Sequence, residues 1–126
     1  MRRLFITLLA VSALFLTFTS VSLAGIRGMD LWAPKSVYVN YTYCSGVNGC
    51  LTIVGHVSNN DGQPYSCQVQ YDPIPGFFVF NSLIVPKQSL DWNLTVGYQG
   101  QTTVSFSLYC NGTYVPGQTE PVRVRT

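Results

Sequence analysis

After residue 24 the chain alternates apolar and polar residues at a period of two and nowhere carries the roughly 3.6-residue period of an amphipathic helix. Such a pattern suits half-buried strands, because successive side chains of a strand point to opposite faces of a sheet. Seven runs stand out: Val37 to Tyr43, Cys50 to Ser58, Tyr65 to Tyr71, Phe77 to Val85, Ser89 to Val96, Thr102 to Cys110 and Thr119 to Arg125. Turn-forming clusters separate them: "SGVNG", "NNDGQP", "DPIPG", "PK", "GYQGQ" and "NGTYVPGQ". Short strands at this spacing predict an all-β chain, a single two-sheet β-sandwich spanning residues 36–126.

Side-chain parity assigns the faces. Leu51, Ile53 and Val57 point together, as do Tyr65, Cys67, Val69 and Tyr71; Leu90, Trp92, Leu94 and Val96; Val104, Phe106, Leu108 and Cys110; and Val122 and Val124. These form the expected core. Thr52, His56, Gln68, Gln70, Asp91, Asn93, Ser105, Ser107, Arg123 and Arg125 take the opposite, outer faces. Trp32, Tyr38, Phe78, Phe80, Tyr98, Tyr109 and Tyr114 fall in the tail, in loops or on faces that alternation leaves unassigned.

Residues 1–24 read as a secretory signal peptide. Arg2 and Arg3 precede an apolar run from Leu4 to about Phe18, and Ser22-Leu23-Ala24 supplies small residues for cleavage after Ala24. Membrane attachment is expected only if this leader is retained, since the apolar run approaches the ~20 residues a span requires. The remaining chain holds Arg27, Lys35, Lys87, Arg123 and Arg125 against Asp30, Asp61, Asp72, Asp91 and Glu120, so its formal charges cancel. With no basic cluster, counterion release offers little binding energy, and nucleic acid is not expected as a partner.

Export decides how the four cysteines are read. Cys44 and Cys50 have five residues between them, which suits neither a CxxC redox motif nor a zinc knuckle, and the one histidine, His56, offers no ligand partner at a useful spacing. In an exported chain, four cysteines predict two disulfides. Parity puts Cys67 and Cys110 on inward faces and leans Cys44 and Cys50 outward at the ends of one hairpin loop, so the expected pairs are Cys44 with Cys50 and Cys67 with Cys110. In a reducing exterior all four would instead remain thiols.

Three N-glycosylation acceptor sequences begin at Asn40, Asn93 and Asn111, the first two on expected outer faces and the third in a turn. Of catalytic chemistry there is little sign. The carboxylates are scattered singly, His56 has no nucleophile beside it, and Asn59, Asn60 and Asp61 supply too few carboxylates for a calcium loop. No cofactor, metal or enzymatic activity is expected. The remaining signal is aromatic, and Trp32, Tyr98, Tyr109 and Tyr114 are the candidate contact residues, suited to protein surfaces or to stacking on sugars.

The runs "LTIVGHVSNNDGQPYSCQVQY", "SLIVPKQSLDWNLTV" and "GQTTVSFSLYCNG" resemble the extracellular immunoglobulin-like β-sandwich modules of archaeal and bacterial surface proteins. There a strand ending in V-x-N-N enters a Gly turn, and a P-x-Q-S-x-x-W/F-x-L run leads into the later strands. The resemblance implies the fold and not the function. The expectation is a non-catalytic secreted structural or adhesive protein that acts through protein contacts, extending to self-association into a filament or surface layer. Residues 25–35, as a donor or edge strand, motivate the self-association. A carbohydrate-binding module and a small secreted inhibitor or effector are the alternatives, the last using the loop Asn111 to Gln118.

Overall fold

The computed structural model describes residues 26–42, 44 and 48–126; the expected signal peptide, Tyr43 and residues 45–47 lie outside the described residues. Eight strands follow one another: β1 (Met29–Trp32), β2 (Ser36–Tyr38), β3 (Cys50–Asn59), β4 (Tyr65–Tyr71), β5 (Phe78–Ile84), β6 (Ser89–Gly97), β7 (Thr103–Cys110) and β8 (Thr113–Arg125). No helix occurs among the described residues. The strands make a three-stranded sheet in the order β1-β3-β6 and a five-stranded sheet in the order β2-β8-β7-β4-β5.

The two sheets bury their apolar faces against each other. Ile53 and Val57 of β3 and Trp92 and Leu94 of β6 meet Cys67, Val69 and Tyr71 of β4 and Val104, Phe106, Leu108 and Cys110 of β7 in one core, and Leu51 is buried outside that cluster. The Trp92 and Phe106 rings, from opposite sheets, lie with centroids 4.6 Å apart. Each fully buried aliphatic or aromatic side chain of this set stabilises the fold by about 1.5–3 kcal/mol.

The structure departs from the alternation-based reading in three places. First, an eighth strand is present: β1 pairs antiparallel with β3, with Leu31 opposite Val57, and buries Met29 and Leu31 to 2% and 4% exposure. Secondly, the expected first strand, Val37 to Tyr43, is not the partner of β3. β2 runs parallel to β8 in the other sheet, and only the isolated bridge Asn40 to Cys50 joins this segment to β3. Cys50, expected to lean outward, is buried at 3% exposure. Thirdly, β8 begins at Thr113 and not at Thr119, because the turn is only Asn111-Gly112 and the residues after it pair with β7 through a bulge, Tyr109 opposite Tyr114 and Ser107 opposite Thr119. Pro116 and Gly117 lie within that bulge.

Two disulfides join Cys44 to Cys50 and Cys67 to Cys110. The first ties the connection between the sheets to the start of β3. The second links directly opposed residues of β4 and β7 within the five-stranded sheet, with Cα atoms 4.0 Å apart.

Candidate functional site

The outer face of the five-stranded sheet carries a row of three aromatic rings, Phe78 and Tyr114 exposed and Tyr109 half-buried between them. Tyr109 points outward because its neighbours Leu108 and Cys110 point into the core, and it stands opposite Tyr114 on β8 and Gln68 on β4. Phe78 joins them through a register shift between Val69 and Gln70, which sets Phe80 opposite Val69 on the inside and Phe78 opposite Gln70 on the outside. Ring centroids are 6.4 Å apart for Phe78 and Tyr109 and 5.7 Å for Tyr109 and Tyr114, both pairs edge-to-face. Neighbouring rings in this geometry gain about 0.5–1.5 kcal/mol per pair beyond burial, which holds the strip in place.

Hydrogen bonds beneath the rings fix it further. Ser105 and Ser107 donate their hydroxyl protons to Asp72 Oδ2 at 2.9 and 2.8 Å, and Gln70 Nε2 donates to Asp72 Oδ1 at 3.0 Å. Since Ser107 has spent its only proton on the carboxylate, it accepts from Thr119 Oγ1 at 3.0 Å. Thr119 must then accept from the Tyr114 hydroxyl at 2.8 Å. One chain of donors thus runs from Tyr114 through Thr119 and Ser107 to Asp72 and orients the Tyr114 ring from below. Ser107, expected on the exposed outer face, is buried under this network.

The other candidate aromatics lie elsewhere. Trp32, 49% exposed, sits on the outer face of the three-stranded sheet and stacks on His56 with centroids 4.9 Å apart and planes 8° from parallel. Tyr98 lines an open depression of about 520 Å³ at one end of the sandwich with Tyr41, Asn48, Gln99 and Gly100. Of the four residues singled out from sequence, the fold therefore unites Tyr109 and Tyr114 and separates Trp32 and Tyr98 from them and from each other. Phe78 is the member that parity could not place, because the bulge that turns it outward has no signature in the alternation.

The acceptor asparagines are distributed over three regions. Asn40 is exposed, and its Oδ1 accepts from the Thr42 N–H at 2.9 Å. Asn93 is exposed on β6 opposite Val54. Asn111 is exposed in the β7–β8 turn, where its Oδ1 accepts from the Ser66 N–H at 3.2 Å and its own N–H donates to the Ser66 carbonyl at 2.8 Å.

The Asn59 to Asp61 segment is organised as a turn. Asn59 is fully buried; its Nδ2 donates to the carbonyls of Gln63 and Ile84, and its Oδ1 accepts from the Asp61 N–H at 2.8 Å. The Tyr65 hydroxyl donates to Asp61 Oδ2 and the Gly62 N–H to Asp61 Oδ1, and these bonds hold the Asp61 carboxyl below its ordinary value. The same bond to Asp61 raises the Tyr65 phenol. Among the described residues no three His, Cys, Asp or Glu side chains group so as to hold a metal ion. Neither a protein-family model nor a curated protein matches the chain.

Proposed function

We propose that the chain is a secreted, non-catalytic, immunoglobulin-like module that serves a structural or adhesive role through protein contacts, including contacts with copies of itself. The fold assignment is supported by strand order. β4, β7 and β8 lie together in one sheet with β3 and β6 in the other, and the first two strands divide between the sheets, β1 antiparallel to β3 and β2 parallel to β8. It differs from antibody domains in that Cys67–Cys110 lies within one sheet rather than between two.

The observation that carries the assembly reading is β1. Four residues near the start of the described chain supply Met29 and Leu31 to the core and cover the edge of β3, and only Ala33, Pro34 and Lys35 separate them from β2. Withdrawing β1 would open a groove of matching shape on every copy. Strand addition to such an edge supplies main-chain hydrogen bonds for affinity and side-chain pockets for register, and exchange of an identical element between copies is a low-cost route to assembly. The charges after residue 24 balance and add little repulsion to oppose it.

The test is the molar mass of the exported protein by size-exclusion light scattering, alongside a variant with cysteines at Asp30 and Ser58, which face each other across β1 and β3. Wild-type polymers that resist dilution, with the oxidised variant locked as a monomer, are the expected result. A wild type that stays monomeric at all concentrations overturns the assembly reading.

A further inference from the structure

The aromatic strip ends at an acceptor asparagine. Asn111-Gly112-Thr113 is the N-glycosylation sequence, and Asn111 and Gly112 are the two residues of the β7–β8 hairpin turn, both at positive φ (53° and 77°). Cys110 and Thr113 close that turn, and the next pair along the hairpin is Tyr109 with Tyr114. From this placement we infer that Asn111 carries an N-linked glycan whose first sugars lie on the Tyr109 and Tyr114 rings, so that the strip is a bed for the chain's own glycan. The inference rests on the export part of the reading above.

Several observations converge on that occupant. The Asn111 amide is exposed and held at its oxygen by Ser66, and no hydrogen bond engages its Nδ2 among the described residues. Phe78 and Tyr114 are 40% and 38% exposed, so ring surface is open to a sugar leaving the turn. Carboxamides flank the centre of the strip, Gln68 beside Tyr109 and Asn81 beside Gln68; the Asp72 carboxylate nearby is engaged by Ser105, Ser107 and Gln70, and Arg123 and Arg125 are at the far end of β8. Rings with amides alongside suit a neutral sugar, whose C–H face packs on an aromatic ring while its hydroxyls exchange hydrogen bonds with carboxamides. The other strand-borne acceptor, Asn93, has Val54 directly opposite it, and the Trp32–His56 stack lies one pair further along that face.

The attachment balances with a lipid-linked oligosaccharyl diphosphate as donor. Nδ2 of Asn111 bonds to the anomeric carbon, the bond from that carbon to the diphosphate oxygen breaks, the lipid diphosphate leaves with the electron pair, and the amide gives up one proton to base.

The test maps glycopeptides of the full exported protein and melts it before and after enzymatic removal of N-glycans from the folded chain. Occupancy at Asn111 is expected, with a fall in melting temperature of roughly 4 °C on removal that disappears in Tyr109→Ala. Should Tyr109→Ala fail to fold, Thr113→Ala removes the acceptor sequence without touching a ring and should make Tyr109 and Tyr114 several-fold faster to nitrate. An unmodified Asn111 beside a modified Asn40 or Asn93 overturns the inference while leaving export intact, whereas an unmodified chain retained inside the cell with residues 1–24 attached overturns both. A glycan at Asn111 whose removal changes neither stability nor nitration shows that it does not rest on the rings, and likewise overturns the inference.

Discussion

Gly55 faces the core from the middle of β3, directly opposite Trp92 on β6. A Cβ there would run into the Trp92 indole and the Trp32 carbonyl oxygen. The ring is trapped against Phe106 and the carbonyl belongs to backbone, so neither neighbour yields easily. Gly55→Ala is therefore expected to lower stability by about 3 kcal/mol, at the upper end of overpacking effects, seen as a lower urea midpoint at unchanged slope. A shift of under half that would mean the indole can move aside. Asn59 acts through hydrogen bonds instead. Asn59→Leu would leave the Asp61 N–H and the Gln63 and Ile84 carbonyls without their partner, a loss of about 3 kcal/mol in the same measurement. A near-neutral outcome would show that water enters and replaces the side chain.

At the scale of elements, β1 depends on β8 as well as on β3. The bulge of β8 brings Gln118 to the free edge of β1, where its Oε1 accepts from the Leu31 N–H at 2.8 Å. In Gln118→Leu that donor loses its partner, with a destabilisation of about 1 kcal/mol. Hydrogen exchange of Leu31 should accelerate several-fold while the amides of β7 keep their protection. Equal acceleration in both would mean that β1 opens only when the whole domain does. Alternation alone marks neither partner, although residues 25–35 are expected as a donor or edge strand and β1 lies within them at the sheet edge. Met29-Asp30-Leu31-Trp32 is too short a run to register before Ala33-Pro34, and Pro116-Gly117 reads as a turn although it is a bulge within a long strand. By contrast, β3, β4, β6 and β7 were legible, because a sheet buried on one face writes its parity into every second residue. The same parity leads to Cys67 and Cys110. It puts Ser105 and Ser107 on the outer face, where the structure adds Tyr109, but it stops at Phe78, where the β4–β5 register slips, and it carries no information on which sheet β2 joins.

The whole molecule has few titrating groups, and their hydrogen bonds set where pH matters. Asp61 is held below its ordinary value of 3.8, first by the Tyr65 hydroxyl and then by the Gly62 N–H. The unfolded chain therefore takes up its proton first as pH falls, so the stabilisation is complete above about pH 4 and lost below it. Tyr65 and Tyr71 are raised from 10.0, Tyr65 first by its bond to Asp61 and Tyr71 by burial. For these groups the unfolded chain loses its proton first, so their contribution holds below about pH 10 and disappears as pH climbs through the folded values. Melting temperature should therefore fall on the acid side of pH 4 and on the alkaline side of pH 10. Tyr65→Phe separates the causes. It removes the main bond lowering Asp61 and one of the two raised phenols, so both flanks should flatten, while burial of Tyr71 keeps part of the alkaline fall. An acid flank unchanged in Tyr65→Phe would mean that other carboxylates, and not the Asp61 turn, set the stability of the domain in acid.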